Sequence, residues 1–332
     1  MNAEVAINLR VIITGGTPDW VNRNVLLRKY VADGFSGVLG GDHVVNLPLE
    51  VVSTRVRNWM PGLVVVLGSC LPDFCDYSEL RYTCDQVGAI MAFWVHDDPY
   101  EFDSNAKIVR IADHIFSNDK WASEHYNREN VWHLPMAASP KMRRHLDEVA
   151  IETGGAKQRD VFFCGVGFQN RKRILKDLSG ILKKVHTEVF GDEWETALPF
   201  CRNQRIPSDK VCGYYASSRI VLNLGRDFNY ANSRYQLTPS TPGPRTFEAA
   251  ISGACQMMFA DSLEIMDYFE IDKEIVLFNN PDEFEVKLMD LLNDPEKRKR
   301  IGDSAQLRCL KEHTYAARAR QILIHTGLLK TD

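Results

Sequence analysis

The sequence predicts an α/β protein of two domains, each with a mainly parallel sheet covered by helices on both faces. Three observations predict it. Short segments such as Leu63–Leu67, Gly88–Val95 and Arg219–Leu224 are apolar almost throughout, as strands buried on both faces are. Stretches with helical character separate them, as parallel crossovers require. The strand–glycine–helix pattern then starts afresh after the charged segment Lys141–Arg159, which holds Gly154 and Gly155 and reads as a linker. The expected domains are residues 1–140 and 155–312.

Taken in order, Ala6–Thr14 reads as the first strand, closed by Gly15-Gly16-Thr17-Pro18. A glycine pair there serves either as a tight turn or as a place where a ligand approaches the backbone. Asn22–Asp33 reads as a helix, Phe35–Leu39 as a short apolar run, Leu63–Leu67 as a buried strand and Tyr77–Gln86 as a helix. The strand Gly88–Val95 runs into His96-Asp97-Asp98-Pro99. Three polar groups ending an apolar strand favour a site at its carboxyl end, with His96, Asp97 or Asp98 as a base or hydroxyl binder. The alternative is a turn cap with a packed histidine. Ala112–Ser117 is a strand ending at Asn118-Asp119, Ser123–Arg128 a helical turn, and Val131–Pro135 a last short strand.

The second half opens with strand Asp160–Gly165 and the turn Gly165-Val166-Gly167. Arg171-Lys172-Arg173 then starts a helix reaching about Lys184. Cations at a helix start oppose its dipole, so either an anion sits nearby or the face is solvated. Thr187–Gly191 and Arg219–Leu224 are strands flanking helix Val211–Ser217, and Arg226–Thr238 is a polar loop containing Tyr235.

The stretch from Pro239 to Asp261 carries the strongest signal. Pro239, Pro242, Gly243 and Pro244 form a loop, a short helix follows near Thr246–Ser252, Gly253 stops it, and Gln256–Ala260 is a strand. Unpaired N–H groups at the helix start are a seat for phosphate. Arg245 adds a fork of donors, and Glu248 offers a carboxylate to a ribose diol. The competing reading pairs Glu248 with the helix dipole and leaves Arg245 as its solvated neighbour. Ser262–Phe269 (helix), Ile275–Phe278 (strand), Pro281–Leu292, Asp294–Glu312 and Ala316–His325 (helices) complete the chain.

Composition narrows the classes. The 332 residues, 45% of them hydrophobic, suffice for two cores, and a net charge of −4 gives no basic field for nucleic acid. No run of 18 apolar residues and no leader pattern is seen, so a soluble, cytoplasmic protein without an intrinsic membrane span is expected. The eight cysteines form neither a CxxC pair nor a zinc spacing, and they read as reduced thiols. No metal site is expected.

The motifs Trp94-Val-His-Asp-Asp-Pro99, Phe163-Cys-Gly-Val-Gly167 with Arg171-Lys-Arg173, Ile220-Val-Leu-Asn-Leu224, Arg245-Thr-Phe-Glu-Ala-Ala250 with Gly253-Ala254, and His313-Thr-Tyr315 with Arg318 occur in this order. Together they resemble the CgeB-like (spore-maturation) glycosyltransferases. The resemblance implies a GT-B fold, two Rossmann-like domains facing across a cleft, with a terminal helix (313–332) returning to the first domain. It implies a nucleotide-diphosphate sugar as donor, no further cofactor and no metal. The donor would be held by Arg245, Thr246, Phe247, Glu248, Gly165, Gly167, Arg171, Arg173, Arg226 and Tyr235, with Glu248 on the ribose. Asp97, Asp98 and His96 would be catalytic, and Gly15, Gly16 and Asn118 would line the acceptor site. The acceptor itself and any homo-oligomer are left open. Related retaining families carry a second Glu seven residues before the ribose Glu; Thr241 stands here, so no anomeric outcome is implied. A sugar-nucleotide epimerase on this fold, or a non-catalytic nucleotide-sugar-binding protein, is the alternative.

Overall fold

A computed structural model describes residues 9–21, 24–143, 157–194, 198–227 and 229–330. The start of the first expected strand, Asn22 at the head of the first expected helix, and the linker glycines Gly154 and Gly155 lie outside these residues. The chain forms two compact units: residues 1–136 with 229–241 and 314–332, and residues 137–228 with 242–313.

The first unit holds a six-stranded parallel sheet: β1 (Val11–Gly15), β2 (Val44–Leu47), β3 (Leu63–Leu67), β4 (Ile90–Val95), β5 (His114–Ser117) and β6 (Val131–His133), in the order β2-β1-β3-β4-β5-β6. β1 and β3 are buried along their whole length, as their uninterrupted apolar sequences require. The chain leaves β1 for β2 on one side and for β3 on the other, so the order reverses between β1 and β3. In open sheets of this kind a ligand crevice lies outside the carboxyl ends of the strands at such a point. Helix Val25–Leu39 runs through the expected separate segment Phe35–Leu39, because Phe35 lies on its buried face. The terminal helix Tyr315–His325 packs against it. Gly34 permits this approach: a Cβ there would meet the Tyr315 carbonyl carbon at 2.5 Å. Edge strand β2 and helix Leu49–Trp59 have no counterpart among the expected elements.

The second unit repeats the design with β7 (Arg159–Cys164), β8 (Thr187–Gly191), β9 (Cys201–Asn203), β10 (Ser218–Asn223), β11 (Gln256–Phe259) and β12 (Val276–Phe278), all parallel, in the order β12-β11-β10-β7-β8-β9. Its order reverses between β7 and β10. The core joins Val161, Phe163, Ile220, Leu222 and Met257 from the strands to Leu175, Phe284 and Leu288 from helices. Gly253 adopts φ +70° and ends helix Pro244–Ile251, as expected of a left-handed C-terminal glycine. The expected helix Ser262–Phe269 is a single 3-10 turn, Leu263–Asp267. Among the described residues, no helix is long and apolar enough to cross a membrane.

Candidate functional site

In the second unit, helix Pro244–Ile251 begins with Gly243 in extended conformation and Pro244 in its first turn, and no side chain caps it. Thr246 and Phe247 fix the helix in place. The Thr246 hydroxyl accepts from Asn223 Nδ2 at the end of β10 (2.8 Å), and its carbonyl accepts from Gln256 Nε2 (3.0 Å). Phe247 is fully buried against Tyr268, Phe269 and His313. Both side chains are therefore spent on packing, and only the backbone at these positions faces the helix start. Arg245 and Glu248, one turn apart, lie on the more open side and pair through Nη1 and Oε2 at 2.6 Å. The Glu248 carboxylate holds the Arg245 guanidinium well above the usual arginine range.

Most of the other expected donor residues meet protein atoms. A Cβ at Gly165 would stand 2.9 Å from Arg171 Nη1, and one at Gly167 would stand 2.6 Å from the Glu193 carbonyl oxygen. The close approach at these glycines is made by protein atoms. Arg171 bridges the reversal of strand order: it donates to the carbonyls of Val166 after β7 (3.0 Å) and of Leu224 and Gly225 after β10 (3.1 and 2.8 Å). Its guanidinium also lies over Phe163 and Phe168. Arg173 is exposed. Arg226 lies 5.5 Å over the Phe168 ring. Tyr235 belongs to the first unit, edge-on to Phe102 at 5.1 Å.

In the first unit a cavity of about 540 Å³ opens at the carboxyl ends of β1, β3 and β4, lined by Asn24, Ser69, Asp73, His96, Glu101 and Tyr230 among others. His96 is the hinge of this site. Its Nδ1 lies 3.0 Å from Asp97 Oδ2, and its Nε2 lies 3.2 Å from Asn24 Nδ2. With the proton on Nδ1 the carboxylate accepts it, and Nε2 faces the cavity as an acceptor. Burial alone would lower the imidazole pKa; the Asp97 charge and hydrogen bond outweigh it, so the net shift is upward. Glu101 accepts a hydrogen bond from the Ser69 hydroxyl.

Asp98, expected beside them, is enclosed instead. It accepts from Asn105 Nδ2 (2.7 Å), Ser117 Oγ (2.6 Å) and Tyr126 Oη (2.8 Å). Burial pushes its carboxyl up to about 7, against the opposing pull of the Ser117 and Tyr126 hydroxyls. Asn118 clamps the same residue, accepting from the Asp98 N–H (2.9 Å) and donating to the Asp98 carbonyl (3.0 Å). Gly15 ends β1, and Gly16 is closed in by the Ser69 carbonyl oxygen, which a Cβ would meet at 2.5 Å. Asn24, Ser69, Asp73 and Glu101 are not among the site residues that the sequence predicts. They come from three separate places in the chain, Asn24 before the first helix, Ser69 and Asp73 in the loop after β3, and Glu101 after β4, and only the strand-end rule at β3 could have pointed to Ser69. Thr241, at the position of the missing second Glu, accepts from the Lys120 N–H at 2.9 Å.

Comparison with known proteins places these units in context. Residues 171–324 match the family model described as glycosyl transferase-like. The chain is similar to spore protein CgeB of Bacillus subtilis (strain 168), 21% identical over 223 residues, which are 63% of this chain and 66% of that protein. It also superposes on Anabaena Alr3699/HepE, solved in complex with UDP and glucose, with TM-score 0.65 at 11% identity, covering 96% of this chain and 99% of that one. A glycosyltransferase from Rickettsia africae ESF-5 gives TM-score 0.62 at 11% identity, over 97% and 99%. A putative UDP-N-acetylglucosamine 2-epimerase from Listeria monocytogenes gives 0.55 at 11%, over 96% of each chain. At these identities the structures establish the GT-B fold, and the sequence matches bear out the resemblance on which it was expected.

Proposed function

We propose that this chain, CgeB-like and with a glycosyl transferase-like domain on a GT-B fold, moves a sugar from a nucleotide-diphosphate sugar to an acceptor hydroxyl without a catalytic metal. The observation that carries the reading is the uncapped start of helix Pro244–Ile251 with Arg245 and Glu248 side by side on its open face. Backbone N–H groups and the Arg245 guanidinium suit a diphosphate. Glu248 suits a ribose diol, and its link to Arg245 fixes the distance between the two subsites. That the similar Anabaena protein was solved with UDP supports a nucleotide-linked donor.

Cleavage of the donor leaves negative charge on the diphosphate. Preset N–H and guanidinium donors stabilise that charge as it grows, with no reorganisation at the moment of reaction. On the first unit, His96 Nε2 takes the proton of the acceptor hydroxyl. Asp97 keeps the imidazole in the right tautomer and stabilises the imidazolium that forms. Asp98 holds the loop beneath them, and Arg171 holds together the loops after β7 and β10.

The test is a thermal-shift panel with UDP, GDP, ADP, CMP and dTDP on the purified protein, since a ligand of the native state raises its melting temperature. One nucleotide is expected to give a clear rise. A flat response to all five would sink the donor assignment. Turnover of the matching nucleotide sugar without an acceptor would point to the epimerase instead.

A further inference from the structure

Resting on the reading of His96 as the base of the proposed transfer, we propose that Asn24 gates that base: its side-chain amide occupies the Nε2 lone pair, and an acceptor hydroxyl reaches the ring only by taking the amide's place. Asn24 Nδ2 lies 3.2 Å from His96 Nε2, and both residues line the cavity at the carboxyl ends of β1, β3 and β4. An amide nitrogen has only protons to give. With the amide in this orientation Nε2 is the accepting atom. The ring proton is then on Nδ1, where Asp97 Oδ2 stands 3.0 Å away. The two contacts agree on one tautomer, and it is the tautomer that the base needs. The lone pair that would take a proton already accepts a hydrogen bond.

The amide is diverted to this task from a local one. Asn24 is the residue before helix Val25–Leu39. Asparagine there ordinarily turns its side-chain oxygen to the N–H groups of the first turn. Asn24 makes no such cap and reaches His96 across 72 positions of sequence. Gly68, just after β3, keeps the space beside the ring: a Cβ there would stand 3.3 Å from His96 Nε2. The His96 side chain is held, only 7% exposed, whereas Asn24 is an exposed residue. Of the two, the amide is the one that can swing aside.

The exchange costs little and has a purpose. One neutral hydrogen bond, from an amide, gives way to another, from a hydroxyl. Until then the lone pair is not offered to water. A base open to water beside an activated donor would hydrolyse it, and a transfer enzyme has to suppress that reaction. Asp97 and Glu101 both favour the protonated form of His96. The Asn24 N–H, bonded to the unprotonated nitrogen, favours the neutral ring, which is the form ready to react.

The experiment reads the lone pair directly, on the full chain. Long-range proton–nitrogen NMR of the imidazole rings gives the tautomer and titration midpoint of His96, with His96→Gln to assign its signals. Diethyl pyrocarbonate, which acylates an unprotonated ring nitrogen, probes access to Nε2, and peptide mass spectrometry measures its product at His96 at about pH 8. Wild type, Asn24→Ala and Asn24→Asp are compared, with melting temperatures to check that each is folded. Neutral His96 is expected to carry its proton on Nδ1. Asn24→Ala should be acylated at His96 about threefold faster or more, the worth of one neutral hydrogen bond. Asn24→Asp offers a carboxylate instead, so it should hold Nε2 protonated and raise the midpoint by about one pH unit or more. A proton on Nε2 of the neutral ring, equal acylation of Asn24→Ala and wild type, or an unchanged midpoint in Asn24→Asp would overturn the inference. These readings need neither donor nor acceptor. The nucleotide thermal shift in the same samples reads the donor assignment separately. If it is present with equal acylation, only the gate fails; if it is absent, the proposed transfer fails.

Discussion

Asp97 Oδ2 stands 3.0 Å from His96 Nδ1 and raises the pKa of a histidine that burial alone would lower. If His96 is the base, it works deprotonated. Transfer should then rise with pH through a midpoint above the ordinary histidine value. Asp97→Asn removes the charge that holds the midpoint up, so the limb should move to lower pH while the maximal rate falls. His96→Gln should cost about 10²–10⁴-fold in rate, the usual share of general base catalysis, with nucleotide binding intact. A His96→Gln enzyme as fast as wild type would remove the ring from the reaction.

Asp98 makes a different prediction, about stability. Its folded pKa, about 7, lies above the ordinary carboxyl value of 3.8. The folded state therefore binds the proton more tightly, and the contribution is full below about pH 4 and lost as pH rises towards 7. The difference is at most about 4 kcal/mol across that window. Asp98→Asn, neutral at every pH, should lack this loss. Urea unfolding of both proteins at pH 5 and pH 8 measures it, and identical pH dependence would mean that Asp98 is ionised throughout.

Arg171 was legible in the sequence as a cation out of place at a helix start, and an anion was one explanation for it. The structure supplies partial negative charge from three backbone carbonyls at the ends of two strands instead. Arg171→Ala should therefore destabilise the second unit by about 2–4 kcal/mol, since it strips charge-assisted bonds from enclosed carbonyls. Arg173→Ala, at an exposed position, should stay within about 0.5 kcal/mol of wild type. Chemical unfolding of the two variants checks the ranking, and equal losses would contradict it.

The same contrast runs through the whole chain. Strands buried on both faces announce themselves as apolar runs, and so β3, β4 and the apolar centre of β10 fall close to where periodicity puts them. β2 is only partly buried along its length and carries Asn46, and the helix after it buries fully only Val52 and Val56. Neither pattern rises above that of a loop. At the site, His96 and Asp97 are legible because polar groups end an apolar strand. Two of the residues facing them are not: Asn24 and Ser69 reach His96 only through the topology, with no local spacing to betray them. Gly165 and Gly167 are legible as places of close approach and no further. A glycine reports that something approaches closely, and the sequence does not say whether it is a ligand or, as here, Arg171 and Glu193.

The Arg245–Glu248 pair gives the sharpest test of the donor assignment, because the two residues should fail in different ways. Glu248→Ala removes the proposed ribose contact and should weaken both the nucleotide that raises the melting temperature and its free nucleoside, by about tenfold or more at 1.5–3 kcal/mol for a hydrogen bond to a charged group. Arg245→Ala should weaken the nucleotide much more than the nucleoside, since only the diphosphate meets the guanidinium and the nucleoside feels the change only through the loosened Glu248 carboxylate. The link between them adds a coupling: with either partner gone the other loses its fixed position, so the double variant should bind the nucleotide more tightly than the sum of the two losses predicts. Calorimetric titration of the four proteins with nucleotide and nucleoside measures all of this. Equal losses for both ligands in Arg245→Ala would move the guanidinium off the diphosphate, and unchanged nucleoside affinity in Glu248→Ala would take the carboxylate off the ribose.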